Sequence, residues 1–384
     1  MPAWLLPEYI EDILPAEALA IEAMRRRILD HFLLHGYQIV VPPLLEYVES
    51  LLSGSGSDMD LRMYKVVDQL SGRMMALRAD MTPQAARIDA HLLNRPGITR
   101  LCYAGSVLHT LPSGVTRSRE PLQIGAELYG HAGPESDLEI QRLMLASLAL
   151  AGFSKIHLDL GHVAVFRGLV KGAKIVAALE AELFAALQAK DTAALRACCG
   201  GLSAPVRHAL LLLPQLYGDK KVLAEARKAL PAYPEIKQAL DELAGAGEKL
   251  SADVSRLAFD LADLRGYHYH SGMVFAAYAA GCPNAVALGG RYDEVGKAFG
   301  RARAATGFSM DLRELASLQK PPPYPKAILA PYRENDLALD KKITALRSRR
   351  HIVVVVLPGT EIGQNADCDR KLVQRGGEWV IERI

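Results

Sequence analysis

Four short apolar segments between residues 64 and 129 constrain the fold of this chain more than any other feature. Polar turns separate these segments, which are Tyr64–Val67, Met74–Arg78, Leu101–His109 and Pro121–Tyr129. Strands that cluster in this way favour antiparallel pairing, because each parallel pair needs a longer crossover connection that is usually helical. The sequence therefore predicts an α+β fold built on an antiparallel sheet rather than on repeated βαβ units.

Helical patterns flank this region and fill the middle of the chain. Apolar residues recur at roughly helical spacing over Ala16–Leu34 and Ser136–Leu150. From about residue 163 to about residue 257 the chain is rich in alanine and leucine. A pattern typical of a strand follows at Met273–Ala280. We therefore predict a core domain over residues 1–318, with helices flanking its sheet and a helical insertion at about 163–257.

The proline-rich segment at residues 319–325 (QKPPPYP) predicts a linker, because consecutive prolines hold a chain extended. After this segment the pattern predicts strand Ala327–Pro331, helix Asp336–Arg349 and strand Ile352–Leu357, followed by a final helix and strand. Residues 326–384 are therefore predicted to form a small C-terminal α/β domain.

Composition and charge argue against several classes of protein. The chain has 384 residues, of which 50% are hydrophobic and 23% charged, and its formal net charge is +2. These values are typical of a globular protein without a strongly basic surface for nucleic acid. The five cysteines include no C-x-x-C pair, which indicates reduced thiols. An acidic, proline-containing N-terminal sequence and the lack of a long apolar run predict a cytoplasmic protein without a membrane span.

The chain lacks the sequence motifs of common cofactor and catalytic sites. Its glycine-rich segment Gly289–Lys297 is not a phosphate-binding loop, because Arg291 stands where that motif needs glycine and Ala298 follows Lys297. The patterns G-x-G-x-x-G, H-E-x-x-H and G-x-S-x-G do not occur. We therefore expect no cofactor, no metal and no catalytic residue.

Segments spread along the chain resemble, in order, the motifs of class II aminoacyl-tRNA synthetases, and specifically the histidyl-tRNA synthetase family. Arg25–Glu46 is similar to the first motif, which forms the family's dimer interface, and Leu77–Thr82 (LRADMT) is similar to its LRPEGT. Tyr103–Gly130 resembles the second motif, and Leu264–Tyr269 (LRGYHY) resembles LVRGLDYY. The resemblance covers roughly residues 10–318 and implies a class II fold that forms a homodimer through the first-motif face.

The resemblance also implies a pocket for free L-histidine. An ammonium group needs an acid and neutral acceptors, and the matching positions are Asp80, Thr82 and Gln123. A carboxylate needs a cation, for which Arg265 and Arg117 are the candidates. These five residues would bind the groups that all amino acids share.

Three further positions would face the imidazole ring of the ligand. Glu127 is the candidate acceptor for an imidazole N–H, and Tyr269 is the candidate aromatic wall. His270 stands where the family has tyrosine, so this position bears on the selectivity of the pocket for histidine.

The positions that hold ATP in the family carry different residues here. The second motif normally contains Phe-Arg-x-Glu, whereas His109 stands at the arginine and Leu111 at the glutamate. The third motif normally reads Gly-Leu-Glu-Arg-Leu, whereas Asp311 stands at the glycine and Glu314 at the arginine. Since an acid repels phosphate where the family has a cation, the chain is expected to bind ATP poorly and to lack enzymatic activity of its own.

Two interpretations of this loss remain open. In the first, another cation such as Arg119 or Arg313 takes over the missing role. In the second, amino-acid activation has been abandoned. The C-terminal domain resembles a truncated form of the family's anticodon-binding domain, which favours the second interpretation and makes tRNA an unexpected partner.

The combination of a retained amino-acid pocket and altered ATP positions resembles the regulatory subunits of ATP phosphoribosyltransferase. That resemblance implies a noncatalytic subunit required for the first step of L-histidine biosynthesis and for its feedback inhibition by histidine. It also implies a short-form catalytic subunit as partner in a hetero-oligomer, expected to be a hetero-octamer. Two alternatives are an active histidyl-tRNA synthetase-like enzyme that activates an amino acid, and a noncatalytic tRNA-binding module.

Overall fold

The computed structural model describes residues 4–53, 57–112, 118–320, 323–359 and 367–384. The chain forms two compact units, Met1–Lys320 and Pro321–Ile384. None of the helices in the described residues is long and apolar enough to cross a membrane.

Nine strands of the first unit form one main sheet, in the order β1-β5-β6-β12-β11-β10-β7-β9-β8, and β2, β4 and β3 form a small second sheet. In chain order the strands of the described residues are β1 (Gln38–Ile39), β2 (Leu45–Tyr47), β3 (Lys65–Val67), β4 (Met74–Leu77), β5 (Thr99–Ser106), β6 (Leu122–Tyr129), β7 (Ile156–His162), β8 (Tyr217–Gly218), β9 (Arg256–Asp260), β10 (Met273–Ala279), β11 (Ala285–Arg291), β12 (Ala305–Asp311), β13 (Ala327–Ala330), β14 (Val353–Val355), β15 (Cys368–Arg375) and β16 (Glu378–Arg383). All neighbours from β5 across to β7 in the main sheet are antiparallel. The predicted α+β fold with an antiparallel sheet is confirmed.

Helices flank the main sheet and also fill the predicted insertion. They are α1 (Pro15–Leu34), α2 (Val48–Leu52), α3 (Ser57–Arg62), α4 (Thr82–Arg87), α5 (Pro134–Leu150), α6 (Ala164–Gly172), α7 (Ala177–Gln188), α8 (Thr192–Cys198), α9 (Ala204–Leu212), α10 (Lys221–Ala229), α11 (Pro234–Leu250), α12 (Leu312–Ser317) and α13 (Leu337–Ser348), with a π-helical segment at Ile88–Leu93 and 3-10 turns at Cys199–Gly201, Leu213–Gln215 and Val295–Phe299. The six helices α6 to α11 lie between β7 and β9 in the chain. Strands β8 and β9 from the same region add the last two strands to one edge of the main sheet.

Strict alternation along β6 separates a core face of the main sheet from an open face. Ile124, Ala126 and Leu128 are buried in the same hydrophobic core as the apolar residues of α1 and α5. Gln123 and Glu127 alternate with them, so their side chains point to the opposite face. The side chains predicted to bind a ligand are therefore carried by a strand whose other face is fixed by core packing.

The second unit contains a four-stranded sheet in the order β14-β13-β15-β16, with α13 packed on it. The prediction of a final helix and strand is wrong for the described residues 367–384, which form the antiparallel hairpin of β15 and β16. Gly376 and Gly377 connect these strands with φ angles of +55° and +87°. A two-residue glycine turn of this kind favours a hairpin, because most other residues avoid positive φ.

Candidate functional site

A cavity of about 490 Å³ lies on the open face of the main sheet. Seven of the eight residues predicted to bind histidine line it, and we call them the histidine side: Asp80, Thr82, Gln123, Glu127, Arg265, Tyr269 and His270. The eighth, Arg117, lies outside the described residues. His109, Asp311 and Glu314 line the same cavity, and we call these three the nucleotide side. Residues that are far apart in the sequence therefore share one site, while their role in binding histidine stays a prediction.

The Asp80 carboxylate is held by donors from its own loop and from β6. Its Oδ1 accepts hydrogen bonds from the Thr82 backbone N–H at 3.0 Å and from Gln123 Nε2 at 2.8 Å. Gln123 Oε1 in turn accepts from the Met81 backbone N–H at 2.9 Å. This closed set of bonds ties the loop after β4 to the sheet and presents an acid at the cavity, which suits an ammonium group.

The Glu127 side chain is the most deeply buried charge-bearing group of the histidine side, with only 1% exposure. Its two oxygens accept hydrogen bonds from the hydroxyls of Tyr103, at 2.8 Å, and Tyr292. Burial raises the pKa of Glu127 to about 8, although the two tyrosine hydroxyls act against that rise. Burial therefore favours the protonated form of this carboxyl group at neutral pH.

No sequence motif indicates that two tyrosines hold Glu127. Tyr103 lies on β5, and its hydroxyl is also 3.0 Å from Thr82 Oγ1. Tyr292 follows β11 and is more than 160 residues from Glu127 in the chain. Only the pairing of distant strands brings these hydroxyls together, so no local pattern could have identified them.

Glycine at position 307 makes room for the Glu127 side chain. Gly307 on β12 lies directly opposite Glu127 on β6. A methyl group at this position would collide with Glu127 Oε2 and would also lie 2.8 Å from the backbone oxygen of Ala126. The Glu127 side chain can therefore take its position only because residue 307 has no side chain.

The Arg265 guanidinium lines the cavity but is already paired with an acid. Its Nε and Nη2 donate to the Asp263 carboxylate, with contacts of 2.9 and 2.5 Å, and its Nη1 lies 3.4 Å from the Tyr278 hydroxyl. Burial lowers the pKa of Arg265, but the bonds to Asp263 outweigh this and raise it. A ligand carboxylate would therefore share this cation with Asp263, a partner that sequence reasoning missed.

Tyr269 and His270 form one wall of the cavity. The Tyr269 ring lies 5.0 Å from the Tyr292 ring and is nearly perpendicular to the His270 ring. His270 Nδ1 is 3.2 Å from the backbone oxygen of Arg291, so this nitrogen carries the proton and Nε2 is left as an acceptor. Burial lowers the pKa of His270 to about 4, which keeps its ring neutral at physiological pH. The wall thus presents an uncharged ring where the family has tyrosine.

The nucleotide side contains a neutral imidazole, that of His109. His109 is buried, and its Nε2 donates to the backbone oxygen of Ala79 at 2.9 Å. Burial, followed by the nearby charge of Arg62, lowers the pKa of His109. Leu111, at the family's glutamate position, is 72% exposed. His109 therefore supplies no positive charge to the cavity at neutral pH.

The two acids of the nucleotide side lie at the start of α12, where Asp311 is half-buried and Glu314 is buried. Asp311 Oδ1 caps α12 by accepting from the Arg313 backbone N–H at 2.9 Å, and it accepts from the Leu122 backbone N–H at 3.0 Å. Burial raises the pKa of Asp311 to about 6. Glu314 lies one turn further along α12 and is 9% exposed. The fold therefore holds two acids at this side of the cavity.

The two arginines considered as replacements are engaged by other protein groups. Arg119 donates to the backbone oxygens of Glu8 and His109, and Arg313 pairs with Glu120 at 3.1 Å. A different arginine, Arg62 of α3, lines the cavity, with its Nη2 3.4 Å from His109 Nδ1. The sequence did not identify Arg62, because α3 follows a glycine- and serine-rich segment that carries no family motif.

Comparison with protein families relates both units of the chain to known proteins. The family model described as Histidyl-tRNA synthetase matches residues 9–315. The model described as ATP phosphoribosyltransferase subunit HisZ C-terminal domain matches residues 325–382. The second match is specific to a subunit of the phosphoribosyltransferase rather than to a synthetase.

Individual relatives agree with the family matches. A protein from Nitrosospira multiformis named ATP phosphoribosyltransferase regulatory subunit is 68% identical over 99% of this chain and 98% of its own. A crystal structure from Bacillus halodurans, described as an ATP phosphoribosyltransferase regulatory subunit/histidyl-tRNA synthetase, has a TM-score of 0.82 and 26% identity, covering 96% of this chain and 95% of its own. Histidyl-tRNA synthetase from a Nostoc species has a TM-score of 0.79 over 100% of this chain and 97% of its own, and at 18% identity it shows the fold alone.

Proposed function

Because this chain belongs to the histidyl-tRNA synthetase-like family of ATP phosphoribosyltransferase regulatory subunits, we propose that it assembles with a short-form catalytic subunit. In that hetero-oligomer it supports the first step of L-histidine biosynthesis and makes the step sensitive to histidine. Catalysis takes place on the partner subunit, and this chain activates no amino acid itself. A hetero-octamer is the expected assembly.

One observation carries the proposal: acids line both sides of the cavity, and the three residues of the nucleotide side supply no cation. On the histidine side, the acids Asp80 and Glu127 are held in place by fixed donors. On the nucleotide side, Asp311 is a half-buried acid, Glu314 is a buried acid and His109 is neutral. An ammonium and an imidazole find partners in such a cavity, whereas the phosphates of ATP meet acids.

Histidine is proposed to act by favouring one arrangement of the assembly over another. A ligand shifts such an equilibrium only by the difference between its affinities for the two arrangements. Bound at the histidine side, or alternatively at the contact between the subunits, it would stabilise the inhibited arrangement. The two locations make different predictions for variants of Asp80, because only the first location involves that residue.

Activity of the mixed subunits tests the proposal. The purified chain is titrated into the short-form catalytic subunit, and ATP phosphoribosyltransferase activity is measured with and without L-histidine. We expect activity to rise to a plateau at a fixed ratio of subunits and to become histidine-sensitive. If the added chain changes neither activity nor histidine sensitivity, the proposal is wrong. Histidine-dependent pyrophosphate exchange by the chain alone would instead support the synthetase alternative.

The homodimer is proposed to form through the first-motif face, which carries exposed apolar side chains. Leu34, at the end of α1, is 85% exposed, and Val41, just after the edge strand β1, is 86% exposed. Contact with a second copy would cover these side chains. Sedimentation analysis of Val41→Glu tests this: the variant should be monomeric at concentrations where the wild-type chain is dimeric. A Val67→Glu control changes an exposed apolar residue on the small sheet and should remain a dimer.

A further inference from the structure

A second cavity, of about 540 Å³, lies on the same face of the main sheet as the first. The strand register establishes this, because Glu127 lies opposite Gly307, which is followed across the sheet by Gly290 and then Val274. Along β10, Tyr278 is on the same side as Val274 and lines the second cavity. No motif of the histidyl-tRNA synthetase resemblance includes the residues around this cavity.

Two acids in the wall of the second cavity, the buried Asp159 and the half-buried Asp260, have incomplete sets of hydrogen-bond donors. Asp159 is 7% exposed, and its Oδ1 lies 2.8 Å from His157 Nε2 but accepts no aligned hydrogen bond within the described part of the chain. Asp260 has one oxygen bonded to the Ala262 backbone N–H, while Lys190 Nζ stays 3.9 Å from the other. Burial raises the pKa of both Asp159 and Asp260. Desolvated carboxylates of this kind gain most from a cation that can donate several hydrogen bonds.

The rest of the wall is aromatic near the acids and basic near solvent. Tyr217 and Tyr278 line the cavity, and the His157 ring lies 6.0 Å from the Tyr278 ring. Lys155 and Lys190 also line it, and both are exposed. A ligand that carries an ammonium next to a carboxylate matches this neighbouring acid and base, since Lys190 Nζ lies 3.9 Å from Asp260.

We propose that this cavity binds a free α-amino acid, with the ammonium group at Asp159 and Asp260 and the carboxylate near Lys155 and Lys190. The tyrosines favour a ligand whose side chain is aromatic or cationic, because both kinds of group pack well on aromatic rings. The proposed site is separate from the histidine side and adds a second ligand position to the same subunit.

Tyr278 connects the second cavity to the first. Its hydroxyl lies 3.4 Å from Arg265 Nη1, and Arg265 lines the first cavity. The charge of Arg265 also acts on Asp159, after burial and the charge of His157. A ligand that displaces the Tyr278 hydroxyl or neutralises Asp159 would change the interactions that position the Arg265 guanidinium. The two sites should therefore influence each other, and this coupling, unlike the second site itself, rests on the proposed binding of histidine.

Saturation-transfer NMR on the full chain tests the second site directly. The chain carries Asp80→Ala and Glu127→Gln to silence the first cavity, and the probes are L-lysine, L-phenylalanine and L-histidine. At least one probe should bind, and Asp159→Asn should weaken it about tenfold or more. Asp340→Asn, an exposed acid of the second unit, is the matched control and should leave the affinity unchanged.

If none of the three probes binds, or if Asp159→Asn leaves the affinity unchanged, the proposal that the second cavity binds an amino acid is wrong. Lys190→Gln provides a second measurement that does not depend on a buried position, because its side chain is exposed. It should weaken the same probe about threefold, and unchanged binding would count against the proposal. These results do not depend on the catalytic subunit, so failure here is distinguishable from failure of the proposed function.

Coupling is measured in the chain with an intact first cavity. The affinity for L-histidine is determined with and without a saturating amount of the tighter of L-lysine and L-phenylalanine. We expect a change of about fivefold or more, a size usual for coupled sites. Tyr278→Phe should reduce this factor to about one while the second probe still binds. An unchanged factor in the variant would show that Tyr278 does not carry the coupling.

Discussion

The histidine side and the nucleotide side of the first cavity both contain buried acids, but their surroundings differ. Glu127 accepts from two tyrosine hydroxyls, and Asp80 accepts from a backbone N–H and an amide. Asp311 instead accepts from two backbone N–H groups, one of which belongs to Arg313 in the first turn of α12. The bonds of Asp80 and Glu127 include side chains from other elements, whereas those of Asp311 are to backbone groups alone.

This difference bears on how mutations on the two sides act. On the histidine side, Asp80 is bonded to Gln123 on β6 and Glu127 to Tyr103 on β5, so loss of one of these groups leaves polar atoms without partners. His109 and Asp311 are bonded to backbone groups instead. The comparison predicts that mutations on the two sides have unequal consequences.

The largest effect is expected for Asp80→Ala. The variant removes the acid proposed to bind the ligand ammonium, and it leaves the Thr82 N–H and the Gln123 amide without their acceptor. Histidine affinity should fall by about 100-fold, since a charged hydrogen bond contributes about 1.5–3 kcal/mol. Calorimetry with L-histidine measures it, with Asp340→Ala, an exposed acid of the second unit, as the control. Equal affinity in Asp80→Ala would mean that histidine binds elsewhere.

A second large effect is expected for Gly307→Ala, which tests the packing of the histidine side. The added methyl group collides with Glu127 and crowds the backbone of β6. Overpacking of this kind costs about 1–3 kcal/mol of unfolding free energy and should also abolish histidine binding. Gly200→Ala is the matched control, because nothing lies within 4 Å of its added carbon. Urea unfolding of both variants gives the comparison. Equal stabilities would refute the claim that residue 307 has no room for a side chain beside Glu127.

The pH dependence of stability separates the two sides. The pKa of Glu127 rises from 4.5 to about 8 on folding, and that of Asp311 from 3.8 to about 6. A raised carboxyl pKa gives stability that is present below the unfolded pKa and lost as pH rises through the folded pKa. Glu127→Gln should therefore flatten the loss of stability between about pH 4.5 and 8, and Asp311→Asn only that between about pH 4 and 6.

Each proton contributes a slope of at most about 1.4 kcal/mol per pH unit within its window. Urea unfolding at intervals from pH 4 to 9 is the measurement, and Asp340→Asn provides an exposed acid as control. If Glu127→Gln and the wild-type chain lose stability in parallel above pH 6, Glu127 does not titrate in this window, and the burial argument fails.

Much of the fold was predictable because alternation and helical spacing are local properties. The predicted strand Pro121–Tyr129 corresponds to β6, and the predicted helix Ala16–Leu34 corresponds to α1. The final hairpin was missed although Gly376 and Gly377 are a strong turn signal, because the pattern after Leu357 was assigned to a helix and strand. Attention to the glycine pair would have corrected it.

The site was predictable only where a family motif carried the residue. Asp80, Gln123 and Glu127 lie in such motifs and line one cavity. Tyr292, the partner of Glu127, and Asp263, the partner of Arg265, were not predictable, since a hydrogen-bond partner is determined by strand register and loop packing rather than by its own sequence context. The second cavity was missed for the same reason, because β7, β8, β9 and β10 contribute to it from distant parts of the chain.

The smallest effect is expected for Glu314→Arg, which restores one family cation to the nucleotide side. Asp311 remains beside it, and His109 stays neutral and bonded to the Ala79 oxygen. Since loss of one charge-stabilising group costs about 100-fold or more in rate, restoring one of several leaves activation undetectable. Histidine-dependent exchange of pyrophosphate into ATP is the measurement, and Glu314→Gln is the control that removes the acid without adding a cation. Exchange above background in Glu314→Arg alone would show that one residue is enough to prevent amino-acid activation at the nucleotide side. The two sides would then differ less in their capacity to bind a ligand than the proposal states.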